Sequence, residues 1–244
     1  MIELTLPILS NRPIAAGICE MVLQCETVPA VKPGQFLHVR VPGKTLRRPF
    51  GIVRAASKSI TFAYAVLGEG TALLSQMTAG TAVDVLLPLG NGFPVEDYQK
   101  ILILTGGLGL LPLIPVVETP GKTCVVAAGF QSIAKVVYAD AVNARADLTL
   151  FSDDGSIGIK GFPAAHLGAL VAAHKPDAVF ACGPARMLMA VQAAKPAVPT
   201  FVSLERRMAC GVGACMVCTC RIAGRHARIC AEGPVFPVEE VEEW

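Results

Sequence analysis

Charge is scarce in this sequence: 21 Lys and Arg and 19 Asp and Glu make up 16% of its 244 residues, against roughly 25% in an ordinary soluble chain. The near balance, a net charge of +2, leaves no basic footprint for nucleic acid or an anionic membrane surface. A long apolar run is missing as well. The longest uncharged apolar stretch, Ile101 to Val117, is interrupted by Gly106, Gly107, Gly109, Pro112 and Pro115, whereas a membrane-crossing helix needs about 20 consecutive apolar residues. No membrane span is expected. The opening MIELTLPILS carries Glu3 and no basic segment before an apolar core, so it does not read as a secretory signal, and a cytoplasmic location is expected. Without export, the nine cysteines read as metal ligands or buried thiols rather than disulfides. Hydrophobic residues reach 53%, and so few charges imply that a partner covers part of the surface.

What is present divides into three stretches, an α+β multidomain arrangement. Residues 1–95 predict an antiparallel β-barrel with one helix. Turn signals at Leu6-Pro7, Pro33-Gly34 and Pro42-Gly43 bound β-rich segments such as Gln35 to Val41, and Ile60 to Leu67 and Thr81 to Leu87 flank a helical pattern at Thr71 to Met77. Pro88-Leu89-Gly90-Asn91-Gly92 marks a boundary. In residues 96–204, brief apolar runs at Ile101–Leu104, Thr123–Ala128, Leu148–Phe151, Ala178–Ala181 and Thr200–Val202 alternate with helix-length segments. That is the pattern of a parallel α/β sheet buried on both faces. Residues 205–244 gather cysteines and glycines into a third, compact module.

The strongest local signal lies in that module. Cys210, Cys215, Cys218 and Cys230 have the spacing C-x4-C-x2-C-x11-C, whose first three members match the plant-type pattern of a [2Fe-2S] cluster. Gly211 and Gly213 let the backbone wrap closely and turn N–H groups toward sulfur. A structural zinc site is the alternative, but it usually shows two paired C-x2-C knuckles, and only one is clear here. Cys220 lies in a strand-like Thr-Cys-Arg setting and reads as a nonligand thiol. Cys19, Cys25 and Cys124 read as small buried hydrophobes.

Two glycine turns suit a nucleotide. Gly106-Gly107-Leu108-Gly109 follows one apolar strand and opens a helical segment, and Cys182-Gly183-Pro184 follows another, before the helix-like Ala185 to Ala194. Both belong at the carboxyl edge of the sheet, where ligands bind. In the barrel, Arg47-Arg48-Pro49-Phe50-Gly51 combines a cation for a pyrophosphate with an aromatic ring for an isoalloxazine. Gly68-Glu69-Gly70-Thr71 adds amides and a hydroxyl for the same phosphates.

Taken in this order, with Gly34-Gln35-Phe36-Leu37-His38, Leu89 to Pro94, Asp153-Asp154-Gly155-Ser156, Glu205 to Cys215 and Cys230 to Phe236, the chain resembles the electron-transfer subunits of class B, NAD-dependent dihydroorotate dehydrogenases, within the wider ferredoxin reductase-like family. The resemblance covers essentially the whole chain. It implies FAD at Arg48, Pro49, Phe50, Gly51, Ala63, Tyr64, Ala65, Gly70 and Thr71. It implies NAD at Gly106, Gly107, Gly109, Pro112, Cys182, Gly183 and Pro184, with Cys182 beside the nicotinamide, and a [2Fe-2S] cluster on Cys210, Cys215, Cys218 and Cys230. The implied partner is an FMN-containing dihydroorotate dehydrogenase subunit of pyrimidine biosynthesis, in a heterotetramer of two plus two. Electrons then run from FMN through the cluster and FAD to NAD+, and no catalytic residue for dihydroorotate is assigned to this chain. Similar subunits serve hydrogenases and ferredoxin-linked transhydrogenases, and a noncatalytic zinc-binding regulatory module is the remaining alternative. Three positions depart from the family pattern: Gly51 stands for Ser or Thr, Ala65 for an Arg after Tyr64, and Gln131 for another Arg. The last favours NAD over NADP.

Overall fold

The computed structural model describes Met1–Trp244. Strands β1 (Ile2–Ala15), β2 (Ile18–Gln24), β3 (Phe36–Val39), β4 (Arg48–Ala56), β5 (Ser59–Ala65) and β6 (Ala82–Leu89) close into an antiparallel barrel in the order β1-β2-β5-β4-β3-β6, with helix α1 (Glu69–Ser75) between β5 and β6. Alternation fixes which side chains turn inward. Leu37 and Val39 of β3, Ile60, Phe62 and Tyr64 of β5, and Met21 and Leu23 of β2 fill the barrel core. Phe36 and His38 therefore face out from β3.

A sheet follows, from β7 (Lys100–Gly106) through β8 (Thr123–Phe130), β9 (Asp147–Ser152), β10 (Ile159–Lys160) and β11 (Ala178–Cys182) to β12 (Thr200–Ser203), all parallel. The sequence of β7 shows no alternation because both faces are covered: Ile101 and Ile103 enter one core, Leu102 and Leu104 the other. The covering helices are short: α2 (Ile114–Val117), α3 (Ala139–Asn143), α4 (Leu167–His174) and α5 (Ala185–Ala193). After β7 the expected helical segment is a 3-10 turn over Gly107–Leu113, running into the four residues of α2. Pro112 and Pro115 supply no N–H to an α-helical ladder, which accounts for the tight, brief geometry. No helix is long and apolar enough to cross a membrane.

The cysteine-rich stretch forms a hairpin, β13 (Thr219–Ile222) with β14 (Arg225–Arg228), and then sends β15 (Val235–Pro237) antiparallel onto β12 as the seventh strand of the sheet, in the order β10-β9-β8-β7-β11-β12-β15. Its last strand is thus shared with the nucleotide-type sheet. The join to the barrel is made by the Leu89 to Pro94 motif. Asn91 Nδ2 donates to the carbonyls of Glu232 (3.1 Å) and Val235 (2.8 Å), and its Oδ1 accepts from Val235 N–H at 2.9 Å. Gly90, at φ +71°, lies so close that a Cβ would fall 2.6 Å from the Gly233 carbonyl oxygen. On the opposite side, Tyr138 donates to the buried Glu20 of β2, and Lys135 Nζ donates to the Ala16 carbonyl at 2.6 Å.

Candidate functional site

Two clefts open at the carboxyl edge of the sheet, against the barrel. The first, about 360 Å³, is walled on the barrel side by Pro49, Phe50, Gly51, Ala63, Tyr64, Ala65 and Thr71. Leu108, Leu111, Pro112 and Cys182 close it from the sheet, and Ser203 to Arg206, Met208 and Pro234 close it from the segment that leads to the cysteine loop. Glu205 and Arg206 are its only charged lining residues. The second cleft, about 340 Å³, is lined by Gly106, Gly107, Gly129, Phe130, Gln131, Asp153, Phe162 and Pro184. Ala65, Leu67 and Leu108 line both, so the two clefts share a wall. Leu67, 89% exposed, was not singled out by the sequence; an apolar residue in a turn carries no signal until its neighbours are known.

Several expected residues occupy different places from those the motifs suggested. Pro112 walls the first cleft, facing Gly51 across the domain seam, where a Cβ on Gly51 would meet Pro112 Cβ at 3.3 Å. A Ser or Thr at 51 would press on that ring, which gives this departure a packing reason. Gly109 and Gly183 serve as close-approach points. A Cβ on Gly109 would lie 2.1 Å from the Cys182 carbonyl oxygen, and one on Gly183 would lie 2.8 Å from Gly106 N. The two glycine turns are therefore stacked backbone on backbone. Burial pushes the Cys182 thiol above its ordinary range, with Glu205 adding to the effect, so it stays neutral.

Arg48 lies beside the first cleft in a shallow hollow with Lys44 and the turn Gly68 to Thr71. Its Nη1 donates to the Leu46 carbonyl at 2.7 Å. Its Nε and Nη2 lie over Gly70, where a Cβ would come within 3.3 and 3.4 Å of them. The Thr71 hydroxyl is already engaged: it accepts from the N–H groups of Leu67 (3.0 Å) and Gly68 (3.2 Å) and donates to the Gly68 carbonyl (3.0 Å). Thr71 thereby shapes the turn that borders the hollow. Tyr64 likewise donates its phenol to Asn11 Oδ1 at 2.9 Å. Phe50 stacks on Phe62 with centroids 5.2 Å apart, so one face of its ring is occupied by the barrel.

The cysteine loop carries Cys210, Cys215, Cys218 and Cys230, of which Cys218 and Cys230 are buried and Cys215 is exposed. Four thiols with this spacing are a donor set that fits a [2Fe-2S] cluster. Amide N–H groups are aimed at sulfur: Ala214 to Cys210 at 3.3 Å, Gly213 to Cys230 at 3.1 Å and Cys230 to Cys218 at 3.4 Å. Gly211 and Gly213 adopt φ of +72° and +80°, a left-handed conformation that glycine takes without strain. Burial acts to raise the Cys210 thiol, yet the amides of Val212, Ala214 and Cys215 and the Cys215 thiol outweigh it and lower it. Cys220 is buried in β13 opposite Ala227, and Cys19, Cys25 and Cys124 are buried free thiols. Over the loop lies His38 of β3, fully buried, with neither ring nitrogen hydrogen-bonded.

Residues 205–242 match the family described as the iron-sulfur cluster binding domain of dihydroorotate dehydrogenase B. Over its length the chain is 40% identical to the electron transfer subunit of dihydroorotate dehydrogenase B (NAD(+)) of Streptococcus thermophilus, covering 97% of each sequence. It is 38% identical to the subunit of the same name from Bacillus pumilus, covering 97% of this chain and 96% of that one. Among solved structures it is similar to an NADH-dependent reduced ferredoxin-NADP oxidoreductase described for flavin-based electron bifurcation. There the TM-score is 0.87 at 27% identity, over 97% of this chain and 89% of the other. A ferredoxin NADP+ reductase from Neisseria gonorrhoeae with bound FAD and NADP shares the fold, with a TM-score of 0.68 at 13% identity over 78% of this chain and 88% of that one.

Proposed function

The chain belongs to the family of dihydroorotate dehydrogenase B electron transfer subunits, and from that premise we propose that it passes electrons from a catalytic partner through a [2Fe-2S] cluster and FAD to NAD+, in pyrimidine biosynthesis. When bound, a flavin accepts electrons singly and releases a pair as hydride, while an iron-sulfur centre passes one at a time. The shared wall of the two clefts carries the reading, because a nicotinamide held in one would lie next to a flavin held in the other.

The residues divide the work accordingly. Pro49, Phe50, Gly51, Ala63, Tyr64 and Ala65 form the barrel wall of the FAD cleft, with Pro112 and Cys182 opposite. Arg48 and the Gly70 turn serve the pyrophosphate from the adjoining hollow. Gly106, Gly107 and Pro184 line the NAD cleft, and Gly109 and Gly183 let its two turns meet. Gln131, Asp153 and Lys135 line the same cleft, with Lys135 Nζ donating to the Ala16 carbonyl at 2.6 Å. With that cation already engaged, an acid present and no arginine at 131, NAD is the preferred nucleotide. Cys210, Cys215, Cys218 and Cys230 hold the cluster. The barrel of residues 1–95, the α/β unit of 96–204 and the cluster stretch of 205–244 thus correspond to the three cofactors.

The partner docks where the cluster is nearest the surface. Cys215 is exposed, and Val212, Met216 and Val217 beside it are exposed apolar side chains, the kind of surface an interface core covers. An FMN-containing dihydroorotate dehydrogenase subunit, two copies with two of this chain, fits that role. The test is coexpression with such a subunit. The purified complex is expected to reduce NAD+ with dihydroorotate; a stable complex that accepts only another donor would assign the chain to a different pathway.

Arg48→Ala is expected to weaken FAD retention by about 10- to 100-fold, the range for losing one hydrogen bond to a charged group. Flavin release measured by fluorescence on dilution checks it, with cluster content unchanged.

A further inference from the structure

His38 is a wholly buried side chain on the outer face of β3, and neither of its ring nitrogens meets a hydrogen-bonding group of the protein. Its ring lies against the backbone of Gly211, the residue after Cys210. A methyl group on Gly211 would fall 2.6 Å from both Cε1 and Nδ1 of the imidazole and 3.0 Å from Nε2. Phe36 contacts it edge-on, with centroids 5.8 Å apart. Burial, reinforced by the charge of Arg47, pushes the imidazole down to about 4, so near neutral pH the ring carries one N–H donor and one acceptor nitrogen. Such groups left unmet inside a protein are costly and call for a partner.

The loop under the ring is built to present donors to sulfur, through the amides of Gly213 and Ala214. We propose that His38 is a positioning residue for the iron-sulfur centre, donating its ring N–H to a sulfur of the cluster from the barrel side. The proposal rests on the cluster reading above. It also places the imidazole at the seam between the two redox sites: Pro49, its cross-strand partner in β4, lines the FAD cleft, as does Phe36 two residues away on the same face of β3. A donor directed at cluster sulfur favours the more negative, reduced state, and so raises the reduction potential.

The test is a potentiometric titration of the assembled complex, followed by the electron paramagnetic resonance signal of the reduced cluster. His38→Leu is expected to shift the one-electron reduction equilibrium against the reduced form about tenfold, about 59 mV for a one-electron couple. His38→Asn or His38→Gln, which return an amide N–H near the position of Nδ1 or Nε2, are expected to recover at least part of the shift. Iron and labile sulfide are counted in the same samples. A wild-type complex without them defeats the cluster reading itself, whereas full clusters with the same potential in wild type and His38→Leu overturn the role of His38. Should His38→Leu lose its cluster, pulsed resonance of the wild-type complex labelled with 15N-histidine decides. A histidine nitrogen coupled to the reduced cluster, and absent from His38→Asn, supports the bond; no such coupling, as when a water bridges the ring to the loop, overturns it.

Discussion

Cys218→Ser is expected to abolish electron transfer between the catalytic partner and NAD+ while leaving NADH oxidation by artificial flavin acceptors largely in place. Cys218 is buried and accepts the Cys230 N–H at 3.4 Å. It is one of the four thiols that would hold the cluster. A serine oxygen is harder and sits closer to the backbone, a poor substitute in an all-thiolate site. Even the outer partners of metal ligands cost about 10- to 100-fold when removed, so loss of a ligand is expected to cost at least about 100-fold in dihydroorotate-dependent NAD+ reduction. The clefts for FAD and NAD take no lining residue from 210–230, which is why the diaphorase reaction survives. Steady-state assays of the two reactions on one preparation check this. Equal loss of both would mean that the cysteine stretch is required for the fold of the whole chain, which the antiparallel addition of β15 to the sheet makes a meaningful alternative.

The second large effect is expected at Gly109→Ala. The added methyl would lie 2.1 Å from the Cys182 carbonyl oxygen, 2.5 Å from its carbon and 2.7 Å from Gly183 N. All three are backbone atoms of the opposing turn, so relief requires one turn to move off the other. Overpacking of this kind costs about 1–3 kcal/mol or more. The displacement falls where the NAD cleft is assembled, between Gly106 and Pro184, and a misplacement of about 1 Å can lower a rate about 100-fold. NADH oxidation with ferricyanide is therefore expected to fall by one to two orders of magnitude, roughly, on that basis, accompanied by a lower Tm and an intact cluster spectrum. Unchanged Tm together with unchanged NADH oxidation would contradict the stacking of the two turns.

Much of this architecture is legible in the sequence because burial writes itself into periodicity. The run Ile101–Leu104 reads as a parallel strand since its two faces enter two different cores, and β3 reads as a barrel strand since Leu37 and Val39 alternate with their neighbours. The cysteine spacing reads as a cluster because sulfur ligands must return to one place at fixed intervals. What the sequence hides is what distant segments do to one another. His38 occupies the outward face of β3, where a polar residue ordinarily meets solvent, yet it is buried with Gly211 of the cysteine stretch against its ring. Val235–Pro237 is too short for any period, yet β12 captures it as an edge strand. The Thr71 hydroxyl's bonds within its own turn are not legible in the sequence, and Pro112 reads as part of a nucleotide turn until Gly51 appears across the seam. Nor does the sparse charge say where apolar side chains reach the surface; three of them, Val212, Met216 and Val217, flank the exposed Cys215.

Whether this chain links a cluster to NAD through a flavin is decided by mixing the anaerobic, assembled complex with NADH and following flavin absorbance and the cluster resonance signal in time. With about two irons and two labile sulfides per chain, flavin bleaching is expected to come first and the reduced-cluster signal to grow afterwards. A cluster signal that rises while the flavin remains oxidised, or a cysteine site that contains zinc and no sulfide, would contradict the account.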